Sequence, residues 1–370
     1  MNRKTPFFII SYFTFSDKNS IVGGLRPFYI YKKLLEKGWD VKLITPYNND
    51  GIGVSIKEGF FIKLIKPLLR VLPPDSSIAW SFKVFLYLKR INKNEHFIVF
   101  TTAPPHGIGL TGLFCKLFLK NAFWIADYRD LWTKNALYNP PITKKYIDPV
   151  LESKFHKYAN LIILNTKWDL KLHQNLFPFI IDKSIFIRNG FNKLLNNSFS
   201  NKYKFIYAGG TQKGKATISI IELLEKINMA GVSAICDFYG EYDKNMENST
   251  FIKYCGSIES NKVPELLTQY KFGFIYLPKD CQEGGRVAQK FYDYIGSGVI
   301  PICYNASIEM KGMMNELKTG IGINDNTLTD EIIEFIHNTT FNAKRAQREK
   351  YTRDSQFEVL IDEIEKRGFF

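Results

Sequence analysis

Short runs of buried-strand type alternate with stretches of helical period twice along this chain of 370 residues, and the alternation lapses once, in NGFNKLLNNSFSNKYK (189–204). In the first half the strand patterns are PFFIISYF (6–13), DVKLIT (40–45), HFIVFT (96–101), FWIADY (123–128), LIILN (161–165) and SIFIR (184–188). In the second they are KFIYAG (204–209), VSAICDFYG (232–240), FIKYC (251–255), FGFIYL (272–277), VIPICY (299–304) and IGIN (321–324). Strands with a helix after each build a parallel sheet covered on both faces, because the crossover helix has to bury its apolar stripe against the sheet. The length exceeds what one hydrophobic core serves. The expectation is therefore α/β, with two Rossmann-like domains facing across a cleft: 1–190, 191–340, and a charged helical tail, 341–370, packing back toward the first domain.

Three turns in this frame have the chemistry of an anion site. In FGFIYLPKDCQEGGRVAQKFYDYIGSGVIPICY (272–304), Gly284 and Gly285 follow a strand, with Glu283 before them, and lead to a pattern read as a helix over 286–295. Val287, Phe291, Tyr294 and Ile295 form its apolar stripe and Arg286, Lys290 and Asp293 its polar one. A cation at a helix start opposes the macrodipole unless an anion is near, so Arg286 asks for a phosphate. AGGTQKGKA (208–216) repeats the arrangement: Gly209 and Gly210 allow close backbone approach, and Lys213 and Lys215 supply cations. It is not a Walker A loop, because Ala216 stands where a magnesium-binding hydroxyl is needed. In the first half SIVGGLRPFYIYKKLLEKG reads as a turn with Gly23 and Gly24 opening a helix, without the G-x-G-x-x-G spacing of a dinucleotide site. Each turn is equally an ordinary strand-to-helix connection when taken alone.

The sharpest polar cluster is Asp127, Arg129 and Asp130, at the carboxyl end of a very apolar strand, where open α/β sheets place functional side chains. A structural ion pair with a helix cap is the competing reading. His106, after Pro104 and Pro105, is either a packed ring or a ligand contact.

The net charge of +14 fits nucleic acid, an anionic membrane or simple lysine bias. Its distribution favours the membrane: over 57–93, eight cations alternate with large apolar residues, as on a surface lying on anionic lipid, although two amphipathic helices packed on their own domain give the same pattern. No run reaches the length of a membrane span, and no nucleic-acid motif occurs. The five cysteines are scattered, with no CxxC pair or Cys/His cluster at zinc spacing, so a reducing compartment and no structural metal are expected. Asp17 and Lys18 stand where a signal cleavage site would be, which makes the N-terminal run the first buried strand.

As a set, GGL (23–25), PPD with Trp80, TTAPPHG (101–107), WIADYRDLW (124–132), IRNGFN (187–192), YAGGTQKGK (207–215) and QKFYDYIGSGVIP (289–301) resemble the GT-B fold glycosyltransferases, specifically the retaining glycosyltransferase family 4. The resemblance implies a nucleotide-diphosphate sugar donor in the second domain, a glycan or lipid-linked acceptor in the first, and transfer with retention, without metal or other cofactor. It gives catalytic roles to Asp127, Asp130, Lys215 and Arg286. Donor binding would fall to Gly23, Gly24, Gly209, Gly210, Lys213, Lys215, Glu283, Gly284, Gly285, Arg286, Lys290 and Asp293, and acceptor binding to His106 and Arg129. The chain departs from the family pattern at the paired acids: Asp293 replaces the second, and Gly285 stands eight residues before it, with Glu283 displaced. Thr211 also stands near where the family carries an arginine. The expected function is sugar transfer in bacterial surface-polysaccharide assembly, in the cytoplasm or on the cytoplasmic face of the inner membrane. A sugar-nucleotide epimerase and a non-catalytic subunit of a transferase complex are the alternatives.

Overall fold

The computed structural model describes residues 5–14, 21–47, 52–59, 72–92, 95–198 and 203–368. The chain divides into two compact units, 1–188 with 357–370, and 189–356.

In the first unit seven parallel strands are ordered β3-β2-β1-β4-β5-β6-β7. They are β1 (Phe7–Ile10), β2 (Val41–Thr45), β3 (Val54–Ser55), β4 (Phe97–Ala103), β5 (Ala122–Tyr128), β6 (Leu161–Leu164) and β7 (Ser184–Phe186). Every residue of β1, β4, β5 and β6 is buried. That is why these strands read as unbroken apolar runs: helices cover both faces, so neither face can be polar. One face packs Trp80, Trp124, Trp132 and Phe155. The other packs Ile30, Leu34 and Trp39 together with Phe357, Leu360, Ile361 and Ile364. The last four come from helix Arg353–Lys366, so from Phe357 onward the end of the chain is part of the first unit's core. Burying each such side chain contributes about 1.5–3 kcal/mol. Glu358 adds ion pairs to Lys33 on helix Ile21–Glu36 and to Lys37 just past its end.

The second unit holds six parallel strands ordered β10-β9-β8-β11-β12-β13. They are β8 (Lys204–Gly209), β9 (Ile235–Gly240), β10 (Ile252–Tyr254), β11 (Phe272–Tyr276), β12 (Ile300–Tyr304) and β13 (Ile321–Ile323). Each sheet reverses its strand order once, between β1 and β4 and between β8 and β11. The loops leaving the two strands at a reversal run to opposite faces, and the gap between them is where such sheets take ligands.

Some boundaries differ from the sequence expectation. Gly23 and Gly24 lie inside the first turn of helix Ile21–Glu36 rather than before it. The helix expected over 286–295 begins only at Gln289 and ends at Ser297. The core explains the delay: Val287 is 7% exposed, and the Ser307 hydroxyl donates to the Arg286 carbonyl at 2.7 Å, which holds the segment before the helix onto the loop after β12. Helix Lys167–Leu176, capped by the Thr166 hydroxyl on the Asp169 N–H, has no counterpart in the sequence reading. Of the stretch 57–93, residues 60–71 and 93 lie outside the described residues. Its remainder includes helix Ile78–Ile91, which buries Trp80, Val84, Phe85 and Leu88 but leaves Phe82 and Leu86 exposed. Among the described residues no helix is long and apolar enough to cross a membrane.

Candidate functional site

The second unit concentrates its unusual backbone in the loop after β8. Gly209 has φ +140°, Gln212 and Lys213 have φ 52° and 59°, and Gly214 has φ +83°. Three consecutive left-handed residues fold the chain into a tight loop that ends at Gly214, the N-cap of helix Lys215–Met229. No side chain caps this helix; the Ala216 N–H is taken by the Thr211 carbonyl, and the end still carries the positive pole of the helix. The strain of Gln212 and Lys213 is held by outside partners. Glu241, just past β9, accepts from both the N–H and the hydroxyl of Thr211 at 3.1 Å. The Tyr207 hydroxyl donates to the Gly210 carbonyl at 2.7 Å, and the Gln212 amide donates to the Tyr276 carbonyl at 3.0 Å. The side chains of Lys213 and Lys215 stand exposed on the loop.

Lys290 reaches this loop from the first turn of helix Gln289–Ser297. Its Nζ lies 3.6 Å from the centre of the Tyr207 ring. A Cβ built on Gly209 would stand 2.6 Å from Lys290 Cε and 2.8 Å from Nζ and would push the ammonium aside, and φ +140° disfavours any residue but glycine. Burial pushes the Lys290 pKa down from 10.5 to about 7, with no carboxylate among the described residues to offset it. A cation desolvated without a counter-charge is a group arranged for an incoming anion. One turn along the helix, burial raises Asp293 to about 6, with Arg353 and the Gln289 amide opposing. Gln289 donates both to Asp293, at 3.0 Å, and to the Gly190 carbonyl, at 3.1 Å.

The loop after β11 is the other wall of the reversal. Asn305, with φ 57°, accepts from Gln282 and donates to the Leu277 carbonyl, and the Ile308 N–H donates to the Gly284 carbonyl. Gly285 is buried, while Glu283 and Arg286 are exposed on this loop. The structure thus gathers Gly209, Gly210 and Lys290 into one contact set. It places Lys213, Lys215, Glu283, Gly284, Gly285 and Arg286 on the two loops that leave β8 and β11.

In the first unit the DYRD block is arranged differently from an internal ion-pair cluster. Asp127, 1% exposed, receives Arg26 in a forked pair, with contacts at 2.8 and 3.0 Å, and a hydrogen bond from Thr102 at 2.7 Å. Arg26 also donates to the Arg188 carbonyl. Arg129 points elsewhere: its guanidinium donates to the carbonyls of Ala103, Gly23 and Pro104 and lies 5.6 Å from the Phe13 ring. Burial lowers Arg129 to about 10, against the pull of Asp127 and Asp130. Arg129 therefore ties the β4 end to the helix that holds Gly23, and a Cβ on Gly23 would strike the Phe13 ring at 2.8 Å. His106 stacks on Trp132 with centroids 4.7 Å apart and planes within 4°. Its Nδ1 is buried without a hydrogen-bond partner, and burial lowers its pKa, so the ring is neutral.

Sequence reasoning passed over Arg26, Tyr207 and Glu241, whose partners lie far along the chain. It also passed over Glu152, His156 and His173, whose donor atoms lie within 4.8 Å of one another in the first unit. The local signal for the last set was a glutamate and a histidine four apart on one helix.

No protein-family description matches the sequence, and no curated protein matches it either. Solved structures do match. Sucrose-phosphate synthase from Thermosynechococcus elongatus has a TM-score of 0.67 at 13% identity, over 98% of this chain and 99% of that one. A glycosyltransferase from Rickettsia africae ESF-5 has 0.65 at 13% identity, over 99% of each chain. The pneumococcal O-GlcNAc transferase GtfA, solved in complex with UDP and GlcNAc, has 0.53 at 14% identity, over 76% of this chain and 59% of that one. The chain has the GT-B fold. In GT-B terms the reversal between β8 and β11 belongs to the second of the two Rossmann-like units and carries the Lys290 contact set.

Proposed function

We propose that this chain is a glycosyltransferase that takes a sugar from a nucleoside-diphosphate donor, with its diphosphate held in the second unit. The observation that carries the reading is Lys290: a half-buried ammonium on the Tyr207 ring against Gly209, with its pKa lowered to about 7 and no acidic partner among the described residues. When the bond between the anomeric carbon and the diphosphate oxygen breaks, negative charge collects on that oxygen. A desolvated ammonium and the uncapped start of helix Lys215–Met229 stabilise the charge more than they stabilise the intact donor, which is the requirement for catalysis. The acceptor oxygen bonds to the anomeric carbon as the bond from that carbon to the diphosphate oxygen breaks, and the hydroxyl proton passes to the departing diphosphate. Exposed Arg286, Lys213 and Lys215 fill out the positive surround in this reading, and Asp293 with Gln289 serves the ribose or the transferred sugar. The bound UDP of the pneumococcal transferase supports a nucleotide of this class. Retention, and the absence of a metal requirement, belong to the same proposal.

The acceptor side belongs to the first unit, with His106 at the wall formed by Trp132 and Tyr128. We further propose a lipid-linked or membrane-borne glycan acceptor of bacterial surface polysaccharide, reached from the cytoplasmic face of the membrane. Phe82 and Leu86 on helix Ile78–Ile91 and Leu117 and Phe118 on helix Gly109–Phe118 are 47–65% exposed, and the ring of Phe82 touches Phe114, which touches Phe118. Lys89, Arg90 and Lys120 stand exposed on or beside the same two helices. An apolar ridge flanked by cations suits an anionic lipid surface.

Calorimetric titration with UDP, GDP, ADP and dTDP tests the central reading. One of them should bind, the affinity should fall at least tenfold in Lys290→Met, and the matching sugar nucleotide should be turned over when acceptor is supplied. Failure of all four to bind would refute the donor assignment.

A further inference from the structure

Glu152 and His156 lie four residues apart on helix Ile142–Tyr158, which places both on one face, and His173 comes from helix Lys167–Leu176. All three side chains are fully buried. Glu152 Oε1 and His173 Nε2 are 3.5 Å apart, an ion pair only if His173 is protonated, and neither makes a well-formed hydrogen bond; both ring nitrogens of His156 are buried and make none. Three residues converging through one polar atom each, in a well-packed interior, is not an arrangement that apolar packing explains.

The surrounding bonds orient these atoms as ligands are oriented. His173 Nδ1 lies 3.1 Å from the Asp169 carbonyl, and donation of that N–H leaves the Nε2 lone pair directed at Glu152. Thr133 donates its hydroxyl to Glu152 Oε2, which leaves Oε1 as the free oxygen. In that tautomer the Nε2 lone pair faces a carboxylate oxygen at 3.5 Å, and either a proton on Nε2 or a metal cation has to lie between them. The 3.5 Å separation is close to the edge of a tetrahedron with zinc-type bonds of about 2.1 Å, which is about 3.4 Å. The three donor atoms lie within 4.8 Å of one another, so the His156 ring has to draw in to complete the set.

We propose that Glu152, His156 and His173 form a divalent-cation site of two-histidine, one-carboxylate type, suited to zinc, that fastens helix Ile142–Tyr158 to helix Lys167–Leu176. The site is distinct from the nucleotide reading, which lies in the other unit. A cation here would also fix the wall behind Tyr128, whose ring packs edge-on against His156 at 5.1 Å and lies 6.3 Å from His106. The donor set is mixed nitrogen and oxygen, which favours zinc over magnesium or calcium.

The test is the metal content of the full chain, purified without an affinity tag or chelator, by inductively coupled plasma mass spectrometry. The proposal expects about one zinc per chain, a melting temperature lowered by several degrees after 1,10-phenanthroline, and recovery on adding Zn²⁺ but not Mg²⁺. His156→Ala and His173→Ala should each lose the metal, with circular dichroism reporting whether they fold. Tetrahedral Co²⁺ absorption after exchange gives a second readout on the unaltered chain. A metal-free protein whose melting is unmoved by Zn²⁺ would overturn the site and leave a buried water as the partner of these atoms. Zinc retained in both histidine variants would overturn the assignment of ligands.

Discussion

Replacing Lys290 by methionine should strengthen the unliganded protein while weakening its hold on a nucleoside diphosphate. The Lys290 pKa falls from 10.5 to about 7, a difference of 3.5, because folding desolvates the ammonium. At 1.36 kcal/mol per unit this corresponds to a cost of up to about 5 kcal/mol for carrying the charged group in the folded state, an upper bound given that the side chain retains some exposure. The sign follows from proton counting. Between pH 7 and 10.5 the unfolded chain binds the proton and the folded chain does not, so stability rises with pH across that window, and the cost is fully present below pH 7. Methionine keeps the unbranched apolar stem on the Tyr207 ring and removes the charge. Urea denaturation should therefore show Lys290→Met above wild type by about 1–3 kcal/mol at pH 7 after allowance for lost ring contact. The gap should close as pH approaches 10.5. Calorimetry on the same samples should show diphosphate affinity reduced at least tenfold, about 1.4 kcal/mol. In wild type the affinity should weaken as pH rises above about 7, since the anion has to recruit a proton to the amine. A variant that is less stable than wild type at pH 7 yet binds nucleotide normally would refute both the burial argument and the anion argument.

Three other expectations follow from the same geometry. Arg26→Ala leaves the Asp127 carboxylate, 1% exposed, with Thr102 and without its counter-charge, and should cost about 3–5 kcal/mol in denaturant titration, whereas Arg26→Lys should recover part of it. Gly214→Ala forces a side chain into φ +83° beside Asp243 and Asn245, which should cost about 1–2 kcal/mol and weaken nucleotide binding by distorting the helix start; a thermal shift and a calorimetric titration would show both. Phe82→Glu with Phe118→Glu should leave the melting temperature nearly unchanged, since both rings are about half exposed or more, and should abolish flotation with anionic liposomes at low salt. Unchanged flotation would remove the apolar ridge from the proposal.

The α/β alternation was legible in the residues because its signals are local. FFII, FIVFTTA and AFWIADY are buried on both faces, and a strand in that position has to be apolar throughout. The break at Asn/Ser-rich 189–204 contains the residue at which the second compact unit begins, Asn189. Helix ends are less legible: Arg286, next to a glycine pair, reads as a helix start, but Val287 is drawn into the core and Ser307 holds the Arg286 carbonyl, so the helix waits for Gln289.

Which loops follow which strands is a matter of sequence alone, and so is their supply of glycine and lysine. What only the tertiary structure decided is which of those groups meet. Arg26 and Asp127 are 101 residues apart, Lys290 reaches a ring on β8 more than 80 positions earlier, and His173 comes to Glu152 from a separate helix. The physical reason is the same in each case. Hydrophobic periodicity specifies the face that an element buries, whereas desolvation and pairing of a charge depend on which other elements are folded over it. In the sequence Lys290 is one cation of a helical polar stripe; the fold that places it on Tyr207 beside Gly209 leaves it without a carboxylate partner among the described residues.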